Sequence, residues 1–254
     1  MPKIIKKKVA DKKSVQENEV KGFALDALDK VKERQKQLIV AGAVAAVILA
    51  SYMTFSMYSS SLKADAAAIE MKANDYHYGV VVEGVMSDEE RLKKAVELYQ
   101  ESVDVKASLT ALFNLGNTYY KLGEYDKAIE QYEAVIDKFG GNTEMVSLVY
   151  QKIASSYMRS GHKEKAFEAL GKLAQVKGGI FKDTAMVLEA RYLESAGDTG
   201  KSLEKYLELA AAFPDSVWSG EAATKIPKPD AETKLKVEEV AAEVEKKEEV
   251  EAKE

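Results

Sequence analysis

Two Ser-x-x-Lys strings, Ser60 with Lys63 and Ser160 with Lys163, are the nearest this sequence comes to a nucleophile paired with its base. A serine–lysine acyl-transfer site needs further motif elements around that pair, and both strings lack them. Only two histidines occur, His77 and His162, and there is no cysteine, so a transition-metal site has no obvious ligand set. His162 reads as a solvated loop residue. Neither glycine-rich phosphate-binding string is present, so no backbone cradle for a nucleotide is encoded. These absences point away from an enzyme and from any cofactor.

What the residues can do is bind by shape. In LFNLGNTYYKLGEYDKAIEQYEAVI, small and large residues alternate at helical-hairpin spacing: Leu112, Leu115, Gly116, Tyr119, Gly123, Ala128 and Tyr132. The same frame returns at Tyr150, Ile153, Ala154, Tyr157, Gly161, Ala166 and Leu170. A worn third copy runs through Met186, Ala190, Leu193, Gly197, Ser202, Tyr206 and Leu209 and is closed by Pro214. Small residues let two antiparallel helices approach, and a glycine after each first helix supplies a left-handed turn residue. This frame resembles the tetratricopeptide repeat (TPR), with copies near 109–142, 147–180 and 183–216. Gly140-Gly141 and Gly178-Gly179 fall in the linkers, where the extra residues over the ideal repeat would go. A fourth hairpin is expected ahead of these, with Ala95 and Tyr99 on its second helix and its first helix somewhere in 62–84, where the frame fits poorly. The expected fold is all-α, a TPR-like helical-hairpin solenoid over 88–220.

In such repeats the first helices line a groove, and positions five, nine and twelve of the frame point into it. Here those positions hold Phe113, Asn117 and Tyr120; Gln151, Ser155 and Met158; Val187, Arg191 and Glu194. Asn117 and Arg191 are the leading candidates. An asparagine can hold a peptide backbone with one donor and one acceptor, and an arginine can take a carboxylate with two parallel bonds. The lysine that carboxylate-clamp members of the family place at the position of Phe113 is missing, so a strict specificity for a C-terminal carboxylate is not expected.

The remaining segments bear on where such a groove would stand. Residues 38–58 carry no charge and no proline, and at 1.5 Å per residue they span ~31 Å, close to the hydrocarbon thickness of a bilayer. Tyr52, Phe55 and Tyr58 crowd its far end, as interfacial aromatics do. Lysines and arginines are concentrated before the span, in a basic arm at 1–37, while shortly after it come only Lys63 and Lys72. That asymmetry predicts an uncleaved single-pass anchor with a cytoplasmic N-terminus and exported repeats. Within the arm, Val20, Phe23, Ala24, Ala27, Leu28 and Val31 recur at the spacing of an amphipathic helix. Gly42, Ala46 and Ala50 repeat every four residues, an arrangement that suits self-association or packing on a partner helix. Residues 59–87 read as a helical connector, and 221–254 as an acidic low-complexity tail. The chain carries a formal net charge of −5, and the region after the span is acidic, which disfavours a nucleic-acid partner.

A basic cytoplasmic arm, one anchor and an exported TPR domain together resemble the bacterial ancillary SecYEG translocon subunit family, over residues 18 to about 214. The resemblance implies a periplasmic domain held at the inner membrane that contacts translocon subunits and periplasmic chaperones. The charged C-terminal tail and the worn third repeat depart from the family's usual outline. Other readings are a TPR adaptor of envelope biogenesis or cell division, and an organellar import receptor with a cytosolic TPR domain. The last requires the reverse topology.

Overall fold

The computed structural model describes residue 32 and residues 34–80 and 86–227. The amphipathic pattern at 20–31 and most of the acidic tail lie outside them. Every regular element among the described residues is helical: α1 Gln35–Tyr78, α2 Asp88–Lys106, α3 Leu109–Lys121, α4 Tyr125–Phe139, α5 Thr143–Arg159, α6 Lys163–Gln175, α7 Lys182–Ser195, α8 Thr199–Ala212 and α9 Ser219–Lys225. A short 3₁₀ turn, Val176–Gly179, joins α6 to α7.

Four helices, α2, α3, α5 and α8, begin where a side chain satisfies one of their first free amides. Ser87 and Glu90 form a reciprocal capping box at the start of α2, and Ser108, Asn142 and Asp198 each accept a hydrogen bond from an amide of α3, α5 and α8. The first helix of each predicted repeat ends the same way. The amide of Gly123 donates to the Tyr120 carbonyl and that of Glu124 to the Tyr119 carbonyl, and the same pair of bonds recurs at Gly161 with His162 and at Gly197 with Asp198. This double closure needs a left-handed residue, and the three glycines sit at φ of 78°, 83° and 80°.

The chain divides into two units, 1–61 and 62–254. In the first, α1 is long and apolar enough to cross a membrane. Ile39, Val40, Val47, Ile48, Leu49 and Phe55 are all more than 60% exposed, so this stretch buries none of its apolar surface within the chain. Nothing lies within 4 Å of a Cβ placed on Gly42.

In the second unit each helix packs on its neighbours in order, α3 on α4, α5 on α6, α7 on α8, with α2, α4 and α6 bridging to the next pair. One apolar cluster extends from Ala73 through Tyr99, Leu115, Tyr132 and Ile153 to Ala185. A second gathers Val187, Ala190, Tyr206, Leu209 and Ala222. The small positions of the frame are close-approach points: a Cβ built on Gly116 would lie 2.6 Å from Cε1 of Tyr132, which is fully buried.

The hairpin expected upstream is present, formed by the end of α1 and α2. Ala73 and Tyr99, both fully buried, take the parts that Gly116 and Tyr132 play one repeat on. The hydroxyl of Tyr99 donates to Asn74 (2.5 Å), as that of Tyr132 donates to Asn117 (2.9 Å). The bonded residues are 25 apart in sequence in the first case and 15 in the second, so the first hairpin has a connection ten residues longer. Residues 62–78 are thus part of the packed repeats, with Ala66, Ala73 and His77 buried. At the other end, the boundary expected at 221 falls inside α9, which is folded onto the third repeat. Gly140 also differs from a permissive linker glycine. Its φ is −59°, and a Cβ there would lie 2.6 Å from the Ile136 carbonyl oxygen, so even alanine forces a backbone shift.

Candidate protein-binding face

The first helices α3, α5 and α7 bring the frame's positions nine and twelve onto one face, and the polar contacts across that face run from repeat to repeat. The Tyr120 hydroxyl and Ser155 Oγ are 2.9 Å apart, and Tyr192 of α7 is close by. Phe113, Gln151 and Met158 are half-buried, and the ring of Phe113 rests against that of Tyr132. A separate cleft of about 430 Å³ opens between α4, α5 and α6, lined by Glu133, Asp137, Tyr157, Lys165, Glu168 and Lys172 among others. None of the groove candidates lines it.

Asn117 and Arg191 are on the expected helices, but both are already engaged. Asn117 accepts the Tyr132 hydrogen bond inside its own hairpin. Arg191 grips Glu221 of α9 with two nitrogens, Nε to Oε1 at 2.8 Å and Nη2 to Oε2, and its guanidinium stacks 5.0 Å from the Trp218 ring. The hydrogen bond from Arg191 holds the Glu221 carboxyl below the ordinary glutamate range. Glu194 is taken by Lys225 of the same short helix at 2.6 Å. Val187 is fully buried and presents nothing to a ligand. The third repeat's share of the face is therefore covered by α9, which stands where the first helix of a further repeat would begin.

The open part of the face is cationic and aromatic. Lys121 Nζ lies 5.8 Å from the centre of the Tyr78 ring, and Lys152 Nζ lies 5.9 Å from that of Tyr120. Arg159 Nε donates to the Tyr125 hydroxyl at 3.2 Å, and the Tyr125 and Tyr120 rings meet edge-on. Among the described residues, Lys121, Lys152 and Arg159 form no ion pair. Burial, with Arg91 and Lys152 nearby, lowers the Lys121 ammonium below its usual range.

His77, to which the sequence alone assigns no role, is a buried polar link between the first two hairpins. It is buried and sits one repeat before Tyr120 in the aligned frame, with Lys121 Nζ 3.0 Å from its Nε2 and Thr118 Oγ1 2.7 Å from its Nδ1. Thr118 in turn donates to the Asn114 carbonyl at 2.7 Å. An ammonium has only protons to give, so Nε2 is assigned as the acceptor and Nδ1 as the protonated nitrogen. Burial first, then Lys121 and Arg91, push the imidazole down to about 4. Arg91 also donates to the Tyr76 and His77 carbonyls, the latter at 2.8 Å, and so closes the C-terminal end of α1. Among the described residues no group of three or more His, Cys, Asp or Glu converges as a metal site.

The tetratricopeptide repeat family model matches residues 110–139. A curated relative, response regulator aspartate phosphatase E of Bacillus subtilis (strain 168), is 29% identical over 126 residues, which are 48% of this chain and 33% of that protein. The chain thus spans about a third of the length of this relative. Solved structures with similar helical arrangement include Pseudomonas aeruginosa pilF, 16% identical over 70% of this chain and 82% of that one with a TM-score of 0.42. MamA is 19% identical over 68% of this chain and all of its own, with a TM-score of 0.40. The TPR2AB domain of yeast Sti1 in its pHSP90 complex is 16% identical over 65% of this chain and 72% of that one, at 0.38. Residues 110–139 match the tetratricopeptide repeat model and are set among helical hairpins that repeat the same packing on either side.

Proposed function

We propose that the chain is a non-enzymatic scaffold, anchored in a bacterial inner membrane by residues 38–58. It would hold partner proteins on the periplasmic side through the first-helix face, near the export translocon and periplasmic chaperones. The observation that carries this reading is the pairing of two features: an apolar stretch at 39–58 whose side chains are all exposed, and a repeat array whose first helices keep an open cationic and aromatic strip without ion pairs among the described residues. The basic residues before the span supply the orientation.

Two measurements test it. Protease added to spheroplasts is expected to digest residues 90–214 and spare the N-terminal arm; protection of the repeats refutes the exported orientation. A photo-crosslinking side chain at Gln151 or Met158 is expected to capture translocon subunits or periplasmic chaperones, while one at Glu130 on α4 is not. Lys152→Ala should weaken that capture about tenfold or more, the effect of losing a charged contact worth roughly 1.5–3 kcal/mol; Lys121 is left in place because it also donates to buried His77. Division or outer-membrane machinery in the crosslinked set would assign the scaffold to envelope assembly instead. Asn117→Ala and Arg191→Ala are unsuited to this test, because each also breaks a contact that holds the repeats together.

A further inference from the structure

The cleft between α4, α5 and α6 shares no residue with the first-helix face, and its chemistry is of the opposite sign. Ile153 and Ala169 line it with buried apolar surface, and Tyr150 and Tyr157 of α5 stand half-buried beside them. Glu133 and Asp137 reach it from α4, one helical turn apart, and both are exposed. Among the described residues neither forms an ion pair. On α6, Glu168 is answered by Lys172 at 3.1 Å, and Lys165 Nζ lies 5.5 Å from the centre of the Tyr157 ring. Burial first, then Glu133 and Glu168, raise the Tyr157 phenol above its usual range.

The same cleft recurs one repeat on, between α6, α7 and α8, and there the chain fills it. Lys205 and Glu208 follow Ser202 at the spacing with which Ala169 and Lys172 follow Ala166, and Glu189 follows Met186 as Ile153 follows Tyr150. The Lys205 ammonium lies 2.9 Å from Glu208 and 3.7 Å from Glu189. The third repeat thus supplies its own cation from the position that alanine holds in the second, and its cleft is smaller, about 330 Å³ against 430 Å³. We propose that the cleft between α4, α5 and α6 is a docking site for a basic segment of a partner protein, which lays a lysine or arginine side chain over Ala169 and sets its charge against Glu133 and Asp137. Such a side chain places its methylene stem on apolar surface and keeps its head in water, which buried Ile153 and Ala169 beneath two exposed carboxylates accommodate. Tyrosine rings attract a cation, as the Tyr157 ring already holds Lys165. An exposed ion pair contributes little by itself, so selectivity comes from stem, rings and both carboxylates together.

The test uses the full chain in detergent and a blocked alanine peptide carrying two lysines four residues apart. A carbodiimide condenses a lysine amine with a carboxylate held beside it, and mass spectrometry locates the amide. Coupling at Glu133 or Asp137 is expected in at least fivefold excess over the exposed controls Glu101 and Glu144. The excess should vanish in Ala169→Lys, where the chain would fill this cleft as Lys205 fills the next. Should that variant lose its helical signal, competition on the wild-type chain decides: the arginine version of the peptide should suppress the coupling at least fivefold, and the norleucine version should not. Equal coupling at the controls, equal suppression by the norleucine peptide, or unchanged coupling in a folded Ala169→Lys overturns the proposal. Cadaverine competing as well as the arginine peptide would make the cleft a small-amine site, and amides from Glu133 or Asp137 to a second copy of the chain would give it to self-association; either result overturns the proposal too. Partner capture at Gln151 or Met158 reports on the first-helix face and is independent of this outcome.

Discussion

Replacing Gly116 with leucine is expected to destabilise the repeats by about 3 kcal/mol, at the upper end of what overpacking a core costs. In the melting temperature this is a fall of roughly 6–12 °C for a domain of this size. A Cβ at this position already lies 2.6 Å from the Tyr132 ring, and Tyr132 cannot retreat. It is fully buried, touches the Phe113 ring, and is held by its hydroxyl on Asn117. Gly116→Ala should therefore also lower the midpoint, by a smaller amount. Thermal unfolding followed by circular dichroism distinguishes the cases. A leucine variant that melts with the parent would mean that α3 and α4 do not approach at this residue.

Acid should weaken the fold through His77. In the unfolded chain this imidazole titrates near 6.5, and in the folded protein near 4, so protons bind the unfolded state more strongly between those values. The stability that His77 contributes is complete above about pH 6.5 and is lost as pH falls toward 4. At about 1.4 kcal/mol per pKa unit the loss by pH 4.5 is about 2–3 kcal/mol. Urea midpoints measured from pH 7 down to 4.5 report it. His77→Gln can still donate to Thr118 and accept from Lys121, and it should flatten the profile over this window. An unchanged slope in that variant would place the acid sensitivity on the carboxylates. The charge has nowhere to go on protonation: Lys121 faces the ring from α3, Arg91 from α2, and Thr118 can accept only the one proton already assigned to Nδ1.

The repeats were readable because their constraint is local. Gly116, Ala154 and Ala190 must be small, and Gly123, Gly161 and Gly197 must turn left-handed, within a fixed distance of one another. The first hairpin obeys the same packing rule at Ala73 and Tyr99, yet its longer connection moves the second helix out of register, and the frame fits poorly at 62–84 for that reason. His77 falls in the same stretch, and only the longer connection aligns it with Tyr120 one repeat on. The face itself was legible as positions but not as contacts. Arg191 and Glu194 stand on α7, while their partners Glu221 and Lys225 stand on a helix of seven residues, too short to show a period and at the start of what reads as an acidic tail.

The position of α9 has a consequence for assembly. A stack of helical hairpins ends in an unsatisfied apolar surface, and two such ends from different molecules complement each other well enough to join head to tail into an open filament. Here Trp218, Ala222 and Ile226 close that surface against Val187, Ala190, Tyr206 and Leu209, and the Arg191–Glu221 pair pins the closure. Among the described residues this short helix is a lid on the last hairpin: it occupies the apolar surface on which a further hairpin, or the end of a second molecule, would stack.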